Sequence, residues 1–349
     1  MNANQSSIEI SIIVPTIVSH LSIKKTLESL LTSIPKTANY EILVVDNRNE
    51  VDQSRGIDLV DLCASVSKHI TVLWEPKPGL TAARHAGVLK SKGKILSFID
   101  DDVLVNPEWY CELENIFSDE ICVLAGGPSI PLFESQVPNW LWRMYVAAPS
   151  DGWMCHWLTL LDIPKDVDGF DPRYIWGLNF SIRKSVLLEV GGFNPDLFPK
   201  ELARFQGDGE TGLALRLIES GYVAKFRQKL MVRHRIPPAR LSYDYFNKRA
   251  YFQGISDSFQ QIRSKNVDMT NKYPINEVYR FNRLGLFIFR LVPKIICPAF
   301  NRFTFSPSLS VLLLKVAMFC EIQKGFRFHQ KSVRQDPELV MWVNRHDYL

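Results

Sequence analysis

The sequence predicts an α/β fold, a mostly parallel sheet flanked by helices with a helical C-terminal extension, and three observations predict it. Four short, β-rich apolar runs at 8–14, 40–46, 70–75 and 94–100 recur at intervals of about 25 to 30 residues. Helix-like segments fill the spaces between them. The runs themselves are nearly unbroken Ile, Val and Leu, the pattern of strands buried on both faces. Strand, helix and strand at this spacing build right-handed βαβ units.

Each element has its own signal. The first strand, IEISIIV, leads to SIKKTLESLL, a helix predicted to start at Ser22, whose hydroxyl suits an N-cap. YEILVVD and ITVLWE are the second and third strands. TAARHAGVLKSKG is then a helix predicted to open at Thr81 and close at Gly93, and KILSFID is the fourth strand. Ligands of such sheets bind beyond the carboxyl ends of the strands. That rule selects Pro15 and Thr16, Asp46, and the trio Asp100, Asp101 and Asp102. Three consecutive carboxylates repel one another and are costly to desolvate without a counter-charge. A divalent cation resolves the conflict: Mg²⁺ or Mn²⁺ prefers hard oxygen ligands and is held by one or two carboxylates plus substrate phosphates. A solvated loop or a helix cap before Pro107 accounts for the same trio without any chemistry.

The 349 residues leave room for a catalytic domain over 1–240 and a basic, amphipathic, helical region over 241–349. With 46% hydrophobic and 22% charged residues, the composition excludes disordered, collagenous and coiled-coil classes. Six cysteines without a CxxC pair argue against a zinc module and a disulfide framework, and point to a reducing cytosol. MNANQSSIEISIIVPT has no cationic segment before an apolar run, so no secretory signal is expected. From Arg240 onward, 17 Lys and Arg face 8 Asp and Glu, a net +9 in a chain of +4 overall. Two apolar stretches there, 283–300 and 303–320, are interrupted by Arg, Lys or Pro and fall short of the roughly 20 unbroken apolar residues of a membrane span. They suit helices lying on an anionic membrane surface, a peripheral contact. Helices packed on the catalytic domain account for the same pattern. The cations alternate with bulky aliphatics and do not cluster with stacking aromatics, so no nucleic-acid partner is expected.

IIVPT, VVDN, PGLTAARHAG and GKILSFIDDD follow one another along the chain. WGLNFSIRKSVLLEVGGFNPDL, FQGDGETGLALRLIESGY and VRHRIPPARLSYDYFNKRAYFQG come after them. In this order, over about residues 8 to 255, these seven motifs resemble those of the family 2 glycosyltransferases, which have the GT-A fold. The resemblance implies a nucleotide-sugar half at about 8–105 and an acceptor half at about 120–240. It implies an inverting, metal-dependent transfer from a nucleotide-sugar, UDP being the family's commonest nucleotide, to a glycan or lipid-linked acceptor in surface polysaccharide or glycolipid synthesis. A cytoplasmic setting, or one peripheral to the inner face of the plasma membrane, goes with it.

Carried over by position, the resemblance implies that Pro15 and Thr16 line the nucleoside pocket, that Asp46 accepts a hydrogen bond from the base and that Arg84 approaches the nucleotide. In the Asp-x-Asp pattern Asp100 faces the ribose and Asp102 the metal, with Asp101 between them. His234 is a partner for the metal or the diphosphate, although alone it reads as a structural histidine. Asp208 falls where the family places its general base, with Glu210 as the second carboxylate; a helix N-cap is the plain alternative for Asp208. Trp176 and Asn179 join the sugar-binding set, a core position describing Trp176 equally well. Two positions depart from the family pattern: His85 replaces the usual Asn and Gly207 the usual Glu. The aromatic stretch 139–158 is an acceptor-facing flap or a buried insertion. A nucleotidyltransferase would share the sheet and acidic site but would carry a Gly-rich basic loop after the first strand, where IIVPTIVSH has neither glycine nor Lys. An inactive scaffold would have lost Asp102 or Asp208, and both are present.

Overall fold

The computed structural model describes residues 9–17, 21–48, 59–264 and 307–349. The chain begins β1 (Ile10–Thr16), α1 (Leu21–Ser33), β2 (Tyr40–Asp46), α2 (Leu59–Val66), β3 (Ile70–Trp74), α3 (Leu80–Lys90) and β4 (Ile95–Ile99). β5 (Val103–Val105), α4 (Trp109–Phe117), β6 (Leu124–Gly126), β7 (Ser129–Phe133), β8 (Val146–Ala147), β9 (Trp153–Cys155), β10 (Leu160–Asp162) and β11 (Val167–Phe170) follow. Then come β12 (Asn179–Arg183), α5 (Lys184–Glu189), α6 (Glu210–Glu219), β13 (Ala224–Phe226), β14 (Val232–Ile236), α7 (Tyr243–Arg263), α8 (Pro307–Gln335) and α9 (Pro337–Val343).

The four expected strands pair in parallel in the order β4-β1-β2-β3, so the chain runs outward from β1 and then returns to its other side. That reversal between β1 and β4 is the switch point at which such sheets bind ligands. The rest of the larger sheet is mixed: β13 is parallel to β6. β12 is antiparallel to both β4 and β6, and β11 is antiparallel to β13, giving eight strands in the order β11-β13-β6-β12-β4-β1-β2-β3. A second, six-stranded sheet, β5-β14-β7-β10-β9-β8, carries the segment after the acidic trio.

Alternation along the strands divides the core. Ile12, Val14, Ile42 and Val44 face α1 and α4, meeting Leu27, Leu30, Trp109 and Tyr110. Ile13, Leu43, Val45 and Phe98 face the other way, toward Ala83 and Val88 of α3 and Leu213 and Leu217 of α6. Burial on both faces is why these strands show no polar alternation.

The helix starts differ slightly from expectation. α1 begins at Leu21, one residue before Ser22. α3 is capped by Gly79 at φ 119°, without a side-chain cap, because the Thr81 hydroxyl instead donates to the Asn194 carbonyl at 2.6 Å. It ends at Lys90, where the Ser91 amide donates back to the Gly87 carbonyl, and Gly93 lies beyond it.

The stretch 283–300 lies outside the described residues. Within 303–320, α8 packs inward through Val311, Leu314 and Met318 against Trp140, Leu141, Phe246 and Ala250, while Leu309 and Leu312 are exposed. The aromatic stretch 139–158 belongs to this cluster, so much of it is a packed insertion. No helix among the described residues is long and apolar enough to cross a membrane.

The α7–α8 crossing depends on Gly254 and Gly325. A Cβ at Gly254 would run into the Ile322 carbonyl, and one at Gly325 into that of Tyr251. Both obstacles are backbone, so the helices themselves would have to separate. Gly254→Val is expected to cost about 1–3 kcal/mol or more through overpacking. Thermal unfolding checks this: a Tm unchanged from the wild type would mean that the crossing is looser than described.

Candidate active site

The carboxyl ends of β1 and β4 bring together what the sequence kept about 85 residues apart. The Thr16 hydroxyl donates to the Asp101 carboxylate across the switch point, and the Thr26 hydroxyl donates to the Asp101 carbonyl at 2.9 Å. Asp101 is therefore turned toward the sheet edge and Thr16. Its carboxyl is pushed up to about 7 by burial first, then by Asp102. Pro15 lies buried in β1 beside Val45 of β2. Asp46 at the end of β2 is buried and grips Arg48 through two parallel bonds, Nε to Oδ1 at 2.9 Å and Nη2 to Oδ2 at 2.7 Å. Asn47 ties the adjoining loop, donating to the Glu75 and Lys77 carbonyls and accepting from the Gly79 amide. Asn47 ends the VVDN motif without a role of its own there, and Arg48, two residues after Asp46, does not stand out in the sequence.

Arg84 projects from α3 at 1% exposure, with its guanidinium 5.1 Å above the Phe193 ring. It stands between two carboxylates, with Nη1 3.4 Å from Glu210 Oε2 and Nη2 3.5 Å from Asp100 Oδ1. Gly177 makes room for it, since a Cβ there would collide with the guanidinium. The Gly177 amide also points at Glu210 Oε1 across 3.5 Å. Asp100 is raised by burial despite Arg84 beside it, with Asp102 and Glu210 adding repulsion.

The two acidic candidates of the Gly-Asp-Gly-Glu segment part company. Asp208 is 8% exposed, and its Oδ1 accepts from Asn194 Nδ2 at 2.6 Å. Asn194 Oδ1 in turn accepts from Arg216 Nη1 at 2.8 Å. Burial raises the Asp208 carboxyl, and the charges near it are those of Arg216 and Arg263, away from Arg84. Glu210 is the first residue of α6, with its side chain 27% exposed and directed at Arg84, Gly177 and, beyond them, Asp100. Gly209 at φ 54° lies between them and caps the helix, so the N-cap position belongs to Gly209 and not to Asp208. Asp196 is a further carboxylate near Glu210, pushed up to about 6 by burial first and then by Glu210. It went unmarked in the sequence because its carboxylate is brought to this cluster only by the turn after Gly191-Gly192-Phe193.

Asn179 is not available to a sugar: it is buried, its Oδ1 accepts from Trp109 Nε1 at 3.1 Å and its Nδ2 donates to the Leu230 carbonyl at 2.6 Å. The expectation that it binds substrate is corrected by that occupied amide. Trp176 is half-buried, donates to the Arg173 carbonyl at 3.2 Å and packs against both principal core clusters. His85, in place of the usual Asn, accepts the Phe193 amide at Nε2 (3.0 Å) and faces the Tyr348 carbonyl with Nδ1 (3.0 Å). Burial holds its imidazole down to about 4, so it is neutral and each ring nitrogen has a partner.

Asp102 and His234 meet on the other side of the cleft. β14 pairs antiparallel with β5, which places His234 opposite Val103, and the Arg235 amide donates to the Asp102 carbonyl at 2.9 Å. Asp102 Oδ2 and His234 Nε2 lie 3.5 Å apart. Burial opposes ionisation of Asp102, but His234 and Arg240 beside it outweigh that and hold the carboxyl below its usual range. Arg240, which sequence reasoning did not single out, reaches both groups from the turn Pro238–Arg240.

Do these residues fit a divalent cation? A carboxylate oxygen and an imidazole nitrogen 3.5 Å apart lie within reach of one ion at metal–ligand bonds of about 2.0–2.1 Å. Among the described residues no cluster of three or more His, Cys, Asp or Glu forms a closed cage. A two-ligand, open arrangement is how Mg²⁺ and Mn²⁺ are held when substrate phosphates complete the shell.

The model of the glycosyl transferase family 2 matches residues 11–189. A glucosyl-dolichyl phosphate glucuronosyltransferase of Haloferax volcanii is 25% identical over 241 residues, 67% of this chain and 71% of that protein. Glycosyltransferase AglE of the same organism is 29% identical over 101 residues, 29% of this chain and 32% of its own. The mixed α/β architecture with its C-terminal helices is consistent with the GT-A fold. With the family match spanning more than half of the chain and covering β1, β2 and the acidic trio, this glycosyltransferase belongs to glycosyl transferase family 2.

Proposed function

We propose that the chain is an inverting, metal-dependent enzyme that moves a sugar from a nucleotide-sugar, a UDP-sugar foremost, to a hydroxyl of a lipid-linked or glycan acceptor. The observation that carries this reading is the convergence of Asp100, Asp102, His234, Arg84 and Glu210 at the carboxyl ends of β1 and β4. The relative named for transfer onto a glucosyl-dolichyl phosphate supports a lipid-linked acceptor. Surface polysaccharide or glycolipid synthesis is the setting that goes with it, and the exposed Leu309 and Leu312 beside a basic C-terminal region suit peripheral contact with a membrane. The unit 1–240 supplies the catalytic residues, and the described part of 241–349 packs on it.

In this reading Pro15, Thr16 and Asp46 border the nucleoside, and Asp100 the ribose. Asp102 and His234 would hold the divalent cation, which when bound neutralises the charge growing on the departing diphosphate. Glu210 takes the proton from the acceptor hydroxyl as that oxygen attacks the anomeric carbon, because it is the carboxylate that faces the cleft. Arg84 stands between Glu210 and Asp100 and positions both carboxylates. One in-line displacement inverts the anomeric centre. Asp208 serves a different end, holding the Asn194 turn against α6.

A hydrolysis and transfer screen over nucleotide-sugars with Mn²⁺, read as released nucleoside diphosphate, tests the proposal. Turnover of at least one donor, lost on chelation, is the expected result. Donor turnover that is indifferent to chelation would remove the metal from the mechanism, and none with any donor would remove the transferase reading of this site.

A further inference from the structure

We infer that Arg240 is a tethered cation that occupies the place of the divalent ion and yields it only when a donor diphosphate arrives, which makes metal and nucleotide binding cooperative. The inference rests on the metal-dependent reading above and concerns how that site is loaded.

The geometry is specific. Arg240 Nη2 donates to Asp102 Oδ2 at 2.7 Å, and Arg240 Nη1 donates to His234 Nε2 at 2.6 Å. A guanidinium nitrogen has no lone pair to offer, so His234 Nε2 is the acceptor, and its lone pair faces the same point as the Asp102 oxygen. One rigid fork thus covers the two ligand atoms that would share a metal. His234 Nδ1 is buried without a hydrogen-bond partner, so the ring is not anchored from behind.

The parts differ in mobility. Asp102 and His234 are fixed by their backbones through the pairing of β5 with β14. Arg240 sits instead on a short turn after Pro237, its side chain 29% exposed against 2% for Arg84. Its side chain is thus more open to an incoming ligand than that of Arg84. A guanidinium that leaves a carboxylate beside an incoming diphosphate finds a partner of the same kind, since Arg binds both bidentately. Displacing Arg240 is unfavourable for Mn²⁺ alone, because the guanidinium loses its partners. It is offset when the diphosphate takes up the freed guanidinium. By linkage the coupling is reciprocal: each ligand raises the affinity for the other by the same factor.

Isothermal calorimetry on the full chain tests this with Mn²⁺ alone, UDP alone and both together, for the wild type, Arg240→Met and Arg240→Lys. Arg240→Met is expected to bind Mn²⁺ alone at least 10-fold more tightly than the wild type and to bind UDP in saturating Mn²⁺ at least 10-fold more weakly. Its Mn²⁺–UDP coupling factor should fall below that of the wild type, leaving the part that phosphate coordination of the ion supplies. Arg240→Lys keeps the charge but cannot span both ligands, so intermediate values are expected. It also serves if the Met variant unfolds, since a Lys variant that binds Mn²⁺ no more tightly than the wild type overturns the inference. Loss of UDP affinity with unchanged Mn²⁺ affinity would make Arg240 a diphosphate contact only and equally overturns the plug. If no variant and no wild-type protein binds Mn²⁺, with or without UDP, the metal reading itself is wrong and the inference goes with it.

Discussion

Glu210→Gln is expected to lower kcat by about 10²- to 10⁴-fold, the range supplied by a positioned general base, with little change in the affinity for donor. Gln keeps the length of the side chain and, through its one amide oxygen, one of the two contacts with Arg84 and Gly177, but it cannot take a proton. The companion substitution separates the two carboxylates. Asp208→Asn can turn its own Oδ1 toward Asn194 Nδ2 and keep that bond, losing only the negative charge that faces Arg216 and Arg263. A cost of about 1 kcal/mol in stability follows from exchanging a charged acceptor for a neutral one. Turnover per folded molecule should fall much less than in Glu210→Gln. Steady-state kinetics at saturating acceptor, beside Tm, check both. If Asp208→Asn loses turnover without losing stability while Glu210→Gln keeps both, the base is Asp208.

That reversal of emphasis shows where sequence reasoning stops. The resemblance to the family places the base at Asp208, with Glu210 as the second carboxylate of the Gly-Asp-Gly-Glu segment, whereas the reading proposed above gives that role to Glu210. Which one faces the substrate depends on where α6 begins and on Gly209, whose φ of 54° turns the chain between two acids only two residues apart. No periodicity reports that angle. Asn179 fails for a related reason: its partners, Trp109 and the Leu230 carbonyl, are 70 and 51 residues away, so nothing local reveals that its amide is already used.

β1, β2 and β4 were legible because each is an apolar run buried on both faces and ends in a chemically distinctive residue, and β3, half-buried at the sheet edge, was legible from its β-branched and aromatic run. The second sheet was not, since β8 to β10 have two or three residues each, too few to show an alternation. His85 could be seen to depart from the family pattern, but its meaning lies in the Tyr348 carbonyl, 263 residues on. Arg240 stood in plain view beside His234. Its importance comes from the antiparallel pairing that carries His234 to Asp102, a long-range fact that spacing along the chain does not encode.

Asp102→Asn is expected to abolish Mn²⁺-dependent binding of a nucleoside diphosphate while leaving the fold intact, because in the proposed reading this carboxylate and His234 are the two groups, among the described residues, that would hold the ion. The substitution removes an ion pair with Arg240, but it also removes repulsion on Asp100 and Asp101. The consequence for stability has a definite sign with pH. Asp101 titrates at about 7 in the folded protein against an ordinary value of 3.8, chiefly through burial, with Asp102 as the next cause. A carboxyl raised on folding binds its proton more tightly in the native state, so the metal-free wild type should lose stability as pH rises from about 4 to about 7. In Asp102→Asn the second cause of that rise is gone. Asp101 ionises at lower pH and the window of lost stability narrows from its upper end. Calorimetric titration with UDP and Mn²⁺, together with Tm at a series of pH values, checks the two halves separately. Unchanged nucleotide affinity would remove Asp102 from the metal-binding set. A wild-type Tm that climbs through this window would instead mean that the trio is already neutralised without an ion, by Arg84 and Arg240 acting together.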